Sequence, residues 1–267
     1  MSVRLPFAVG VVIALAVPPA FPQEAAEGPN GAKAWVGHYA EYEEYLRTAP
    51  IERLKDIPVG VTKPKEAFFA PGGLAASAAV KELKPGRQSG YWESYKSEIA
   101  AYEVDRVLGL DMVPPTVERR VEGQLSSVQL WVKNCRLLSD IPKQNPVDPT
   151  EWAKQVCRQR IFDCLIANID RNAGNILVDD HWNLILIDHS RAFATNQMPF
   201  EKEIMRVDKE FYERLKALDE TTLMEKVGPW VFGKGYIRAL LKRRDKIVKR
   251  LDKLVKERGE AVVFPFR

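Results

Sequence analysis

Apolar residues recur at helical spacing most clearly near the end of the chain. There Ile237, Leu240, Leu241, Ile247, Val248, Leu251, Leu254 and Val255 form one stripe and predict a helix over about 236–258. Its other face carries Arg238, Lys242, Arg243, Arg244, Lys246, Lys249, Arg250, Lys253 and Lys256, and reads first as the solvated side of a packed helix, with a surface for acidic substrate, anionic lipid or nucleic acid as the alternative. The same spacing predicts helices over 94–108, stopped by Gly109, and over 151–168, with Asp148 or Thr150 as cap and Pro149 in the first turn. Trp35, Tyr39, Tyr42 and Leu46 predict one more through 35–55, and the stretches 200–218 and 221–227 complete the set. Strand-like runs occupy the first half. They cover 57–61 continuing at 67–69, then 75–83 after the Pro71-Gly72-Gly73 turn, then 113–117, and a hairpin of 117–121 and 125–132 about Glu122-Gly123. The polar, proline-bearing stretch 134–149 reads as loop. Two later apolar runs, 176–178 and 184–187, flank the polar turn 179–183 and predict a second hairpin.

The chemistry concentrates between Ile161 and Phe193. A helix ends near Asn168, the chain turns through Asp170-Arg171-Asn172-Ala173-Gly174-Asn175, and the hairpin delivers Asp188 at its end. Phosphoryl transfer needs a carboxylate to take the proton of an acceptor hydroxyl, and a second carboxylate and an amide oxygen to hold metal against the nucleotide phosphates. Protein kinases draw the base and the asparagine from one loop spaced D-x-x-x-x-N, and the metal carboxylate from the turn after a short hairpin. Asp170, Asn175 and Asp188 have that spacing. Asp, Asn and Gly also form ordinary turns; the ordered series of helix, loop, hairpin and aspartate is what distinguishes this stretch.

The first half supplies complementary groups. In a strand over 75–83, Ala79 and Lys81 share a face, which places a small residue against a base and a lysine on the phosphates. Lys84, of opposite parity, is the alternative. A glutamate on the 94–108 helix would hold the lysine, Glu98 first and Glu103 second. Gly72 and Gly73 would let backbone approach phosphates, although a Gly pair is also a common turn. Trp131 and Val132 lie in the connector between lobes, where backbone groups can hold the adenine.

A chain of 267 residues accommodates two lobes around a cleft, and a formal net charge of +4 does not by itself call for nucleic acid. Arg4, the apolar run 5–17 and Pro18-Pro19-Ala20-Phe21-Pro22 have the layout of a signal peptide or signal anchor over 1–23, followed by a linker over 24–34. Export, to a secreted or periplasmic location with a possible membrane tether, is therefore expected. Cys157 and Cys164 lie too far apart on one helix to bond, so an intrachain bridge would need Cys135; otherwise all three are small buried hydrophobes. A metal-dependent hydrolase built on Asp179, Asp180, His181, Asp188 and His189 is a rival reading, but it gives Lys81 and Glu98 no task.

The segments AAVKELKPG (78–86), SEIAAYEVDRVLGLDMVPPTV (97–117), IFDCLIANIDRNAGNILV (161–178) and LILIDHSRAF (184–193) together resemble the atypical kinase group. That group includes the secretory-pathway casein kinases, the four-jointed kinase, the phosphoinositide kinases, actin-fragmin kinase and HipA; the secretory-pathway members are the most similar. The resemblance implies a two-lobed protein-kinase-like α+β fold. Its small β-rich N-lobe with one helix would cover 35–132, and its mostly helical C-lobe 133–267. It implies ATP or another nucleoside triphosphate with Mg2+ or Mn2+, and a hydroxyl acceptor on protein Ser/Thr, sugar or lipid. Lys81 falls on the family's nucleotide lysine, Glu98 on its helix glutamate, Asp170 on its catalytic aspartate, and Asn175 and Asp188 on its metal ligands. Asn172 replaces a histidine common in the family, and His189-Ser190 replaces the usual Asn-Gly or Phe-Gly. A pseudokinase that binds nucleotide or a partner without turnover is the nearest alternative; retention of all five residues argues against it.

Overall fold

The structure is a computed structural model, which describes residues 32–58, 64–88 and 90–266. The signal expectation over 1–23 and most of the 24–34 linker lie outside these residues. The linker's end is packed, however: Lys33 is buried and the Ala32 N–H donates to Asp179 Oδ2 at 3.0 Å. No helix among the described residues is long and apolar enough to cross a membrane.

The first half runs α1 (Tyr39–Thr48), β1 (Ile51–Asp56), β2 (Lys65–Phe69), β3 (Ser77–Lys81), β4 (Gly86–Gln88), β5 (Tyr91–Glu93), α2 (Tyr95–Leu108), β6 (Thr116–Val121) and β7 (Gln124–Leu130). Five of these strands make one antiparallel sheet in the order β1-β2-β3-β7-β6, while β4 and β5 form a separate ribbon. The predicted helix over 35–55 is shorter than expected, and Ile51–Asp56 is a strand instead. Pro50 explains the break. It disfavours helical backbone at Ala49, which sits at ψ 133. Helix α1 adds to the helix expected in the N-lobe. Helix α2 begins at the Ser94 cap, whose side chain accepts from the Lys96 N–H, and ends at Gly109, which adopts the left-handed φ of 57.

The second half runs β8 (Cys135–Leu137), α3 (Pro149–Leu165), β9 (Ile176–Asp179), β10 (Leu184–Leu186), α4 (Lys209–Ala217), α5 (Glu220–Lys226), α6 (Lys234–Arg258) and α7 (Glu260–Val263). The 134–149 loop thus hides a three-residue strand, β8, which pairs with β9 in a sheet ordered β10-β9-β8. Helix α4 starts only after Asp208, whose carboxylate caps it by accepting from the Phe211 N–H.

Two large buried clusters dominate, and α2 of the N-lobe packs in the larger one. The larger joins α2, α3, α4 and α6 through Tyr102, Phe162, Leu165, Phe211 and Leu251. The smaller sits under the five-stranded sheet, from Trp35 and Leu46 to Val80 and Val128, and takes in Ile185 of β10. That residue, at 0% exposure, locks the hairpin bearing Asp188 to the N-lobe. All three cysteines are free thiols, and burial pushes Cys135 up to about 11 and Cys164 up to about 12.

Candidate active site

Strand β3 alternates as its sequence requires. Ala78 and Val80 are buried in the smaller core, so Ala79 and Lys81 face the other way. Lys81 Nζ donates to Glu98 Oε1 at 2.5 Å and to Asp188 Oδ1 at 2.8 Å. Glu98, on the first turn of α2, uses its second oxygen to accept from the His189 N–H at 2.8 Å. Lys84 lies beyond the end of β3, and Glu103 is outside this cluster. Burial works against the charge on Lys81, but Asp188 and then Glu98 outweigh it, and its pKa lies above the ordinary lysine value. Burial likewise opposes the Glu98 charge, yet Lys81 and the His189 hydrogen bond hold its pKa low. The Lys81 ammonium holds Asp188 well below the usual carboxylate range, against burial. All three groups are therefore charged at neutral pH.

Asp188 occupies a left-handed backbone, φ 58, which non-glycine residues rarely adopt. Its surroundings fix it there: Ser190 Oγ donates to Asp188 Oδ1 at 3.1 Å, and the Ile187 N–H donates to the Asn175 carbonyl at 3.2 Å. That backbone bond sets Asp188 beside the loop that carries Asp170 and Asn175.

The loop itself is built on a buried ion pair that the sequence reading did not assign. Asp163 on α3 accepts from Asn168 Nδ2 at 2.9 Å, from Gln159, and from Arg171 Nε at 3.0 Å. Arg171 also donates to the carbonyls of Asn175 and Ile187 and, at 2.7 Å, to His189 Nε2. One guanidinium thus ties the helix, the loop and the hairpin end together. Because burial keeps His189 below its usual pKa and Arg171 can only donate, the imidazole is neutral, with its proton on Nδ1 facing Glu98 at 3.6 Å. The signal in the sequence was a charge, Asp163, inside the apolar run Ile161-Phe162-Asp163-Cys164-Leu165; such residues are almost never buried unpaired.

Asp170 and Asn175 converge on the same loop. Asn175 Nδ2 and Asn172 Nδ2 each donate to the Asp170 carbonyl at 3.0 Å. The Asp170 carboxylate remains 40% exposed and accepts from Arg191 Nη1 through Oδ2 at 3.0 Å. Arg191 in turn donates through Nε to the buried Glu93 at 2.6 Å and lies 4.6 Å from the Tyr91 ring. Glu93 and Arg191 were not anticipated, since they are 98 positions apart and meet only through the fold.

Asn175 uses its amide nitrogen on Asp170, which leaves its oxygen for a cation, and Asp188 Oδ2 accepts no hydrogen bond among the described residues. A carboxylate and an amide oxygen are hard ligands suited to Mg2+ or Mn2+ with phosphate oxygens and water filling the shell. The hydrolase reading fares differently. Asp179 spends its oxygens on the hairpin turn, accepting from the His181 N–H at 3.0 Å and the Asn183 N–H at 2.8 Å. Among the described residues, no group of three or more His, Cys, Asp or Glu is placed to hold a metal.

The remaining expected residues are less closely tied to the cluster. Gly72 has a φ of 79 in the β2–β3 turn, and a side chain on Gly73 would strike the Tyr45 hydroxyl at 1.9 Å, so that glycine makes room for α1. In the connector the Trp131 N–H is committed to the Ser77 carbonyl at 3.2 Å. Val132, at 8% exposure, follows it and packs in the smaller core.

Comparison with solved structures places the fold. The Golgi casein kinase with Mn and ADP bound superposes with a TM-score of 0.66 at 15% identity, over 84% of this chain and 77% of that one. The fold is a kinase fold. A hydra Fam20 structure with sugar gives 0.67 at 15% identity over 84% and 91% of the two chains. The Helicobacter pylori proinflammatory kinase CtkA gives 0.52 at 13% identity over 78% and 97%. In sequence, the chain is 37% identical over 139 residues to phosphatidylinositol 4-kinase gamma 4 of Oryza sativa subsp. japonica, covering 45% of this chain and 23% of that protein. It is 30% identical over 175 residues to phosphatidylinositol 4-kinase gamma 2 of Arabidopsis thaliana, covering 52% and 30%. The chain thus spans less than a third of the length of these curated relatives. No family model matches it.

Proposed function

We propose that the protein is a phosphotransferase that moves the γ-phosphate of a nucleoside triphosphate, ATP first, to a hydroxyl acceptor. The observation that carries this is Lys81 bridging Glu98 and Asp188, with Asp188 tied by the Ile187–Asn175 backbone bond to the loop holding Asp170 and Asn175. Glu98 and Asp188 hold the Lys81 ammonium where it can bind phosphate oxygens. Ala79, on the same face of β3, leaves room for the base, and the Val132 backbone is the adjoining connector group for the adenine edge. Asp188 and the Asn175 amide oxygen would hold Mg2+ or Mn2+, which supplies charge neutralisation at the phosphates when bound. Asp170 takes the acceptor proton through Oδ1, while Arg191 fixes Oδ2 and with it the direction of the carboxylate.

For the acceptor, a protein Ser/Thr hydroxyl is the first reading, on the fold shared with the Golgi casein kinase. An inositol-lipid hydroxyl is the second, on the sequence match to the rice protein. A secretory or periplasmic location fits the signal-like start. The test is transfer from labelled ATP, with Mg2+ or Mn2+, to casein, free sugars and phosphatidylinositol vesicles in parallel. Transfer to any of them, lost in Asp188→Ala, supports the reading. Nucleotide binding without transfer or hydrolysis under every condition would make the protein a pseudokinase.

A further inference from the structure

The basic face of α6 divides into two kinds of cation. Arg243 donates to the Leu165 carbonyl at 2.7 Å, Arg250 to the Ile204 carbonyl at 2.7 Å, and Arg244 to the Leu218 carbonyl. These three arginines hold the C-lobe together. The others form a separate line. At 3.6 residues per turn, Arg238, Lys242, Lys246, Lys249, Lys253 and Lys256 fall on one stripe of about 27 Å, opposite the buried Ile237, Leu240, Ile247 and Leu251. All six are exposed.

A solvated helix face ordinarily intersperses both signs. Here the carboxylates of α6 are engaged: Asp245 pairs with Arg244 at 2.6 Å, Asp252 accepts from the Tyr212 hydroxyl, and Glu257 lies 3.6 Å from Lys253. Among the described residues no carboxylate pairs with Lys242, Lys246, Lys249 or Lys256. Just before the helix, Phe232 is 42% exposed and meets the edge of Trp92, itself 41% exposed, with centroids 5.2 Å apart.

We propose that this face docks on an anionic phospholipid bilayer. Its cations are mostly lysines, point charges on flexible stems that suit a diffuse planar field, whereas defined phosphates favour the arginine fork. The stripe is straight and lies on a convex helix, with no aromatic or amide side chains between its cations to stack on or read bases. An exposed aromatic pair at one end matches the residues that sit at a membrane–water boundary. The contact is peripheral, because the apolar face of α6 is spent in the protein core. The proposal does not depend on the phosphotransfer reading.

Co-sedimentation of the full chain with phosphatidylcholine vesicles, and with the same vesicles containing phosphatidylserine, tests it. Wild type binds the anionic vesicles, and added salt weakens the binding. The triple variant Lys242→Gln, Lys246→Gln, Lys249→Gln keeps its melting temperature and binds them about 100-fold more weakly, at roughly fivefold per lysine near the surface. Its binding to neutral vesicles, which reports any contribution of the 5–17 run, is unchanged. Trp92→Ala with Phe232→Ala gives a smaller loss. Equal binding of wild type and triple variant to the anionic vesicles overturns the proposal, as does no binding by wild type. Tighter binding of wild type to polyuridylic acid or polyglutamate than to the vesicles overturns it too, and assigns the face to a macromolecular polyanion.

Discussion

Among the described residues Lys33 is buried and Lys81 is 13% exposed, and their surroundings treat them in opposite ways. Lys81 has two carboxylates in direct hydrogen-bond contact and stays charged, its pKa raised. The Lys33 ammonium, by contrast, makes no hydrogen bond or ion pair among the described residues. Burial lowers its pKa even though Asp105, Asp111, Asp179 and Glu151 lie near enough to oppose the shift. Asp105 shows the same failure from the acid side. Burial, aided by the Asp111 charge, lifts it to about 7 although it accepts from the Met112 and Val113 N–H groups at 3.1 and 3.2 Å, and its Oδ2 has no partner. Proximity of opposite charge does not offset burial at Lys33 or Asp105, whereas bonded geometry does at Lys81. The cleft lysine has that geometry, which is why the proposed phosphate contact is assigned to it.

The largest expected contrast is between these two positions. Lys81→Met should lower transfer by ~10²–10³-fold, the scale for losing one pre-positioned charged donor, with the fold retained. Lys33→Met removes a poorly paired buried charge and should leave the melting temperature equal or higher and transfer essentially unchanged. A loss of transfer in Lys33→Met comparable to that in Lys81→Met would break the comparison.

Next in size is Arg191. Arg191→Ala frees the Asp170 carboxylate and should cut kcat by ~10–10²-fold through misorientation, with nucleotide affinity kept and Arg191→Lys recovering part of the rate. Equal loss of rate and nucleotide affinity would show that Arg191 serves the nucleotide instead.

The smallest effect sharpens the acid half of the comparison. Asp105 keeps its proton in the folded state up to about 7, but loses it near ~3.9 when unfolded. The folded state therefore binds more protons in that window, and stability falls as pH rises through it. Asp105→Asn should flatten this fall, read as melting temperature against pH from acid to neutral. An unchanged slope would show that Asp105 ionises as an ordinary carboxylate.

The same contrast marks what was legible in the sequence. Parity along one strand pointed to Lys81 rather than Lys84, and helix position to Glu98 rather than Glu103, and the fold brings those two together, because both readings depend on local geometry. Asp170, Asn175 and Asp188 were readable for the same reason: one loop and one hairpin carry them all. Arg191 and Glu93 were not, since nothing near either residue specifies the other. Strand β8 escaped notice because three residues show no period, and its only mark is a pairing with β9 about 40 positions on. The strand at Ile51–Asp56 was lost by extending a helix across Pro50, a local signal that was present.

The central claim is a division of labour, with Asp188 serving metal and nucleotide and Asp170 serving the acceptor. Isothermal titration of magnesium–ATP into Asp170→Asn and Asp188→Ala, paired with the transfer assay, tests it most directly. Asp188→Ala should lose metal-dependent nucleotide binding and transfer together. Asp170→Asn should bind nucleotide as wild type does while transfer falls by ~10²–10⁴-fold. If folded Asp170→Asn loses nucleotide binding as completely as Asp188→Ala, the division is wrong and Asp170 belongs with the metal.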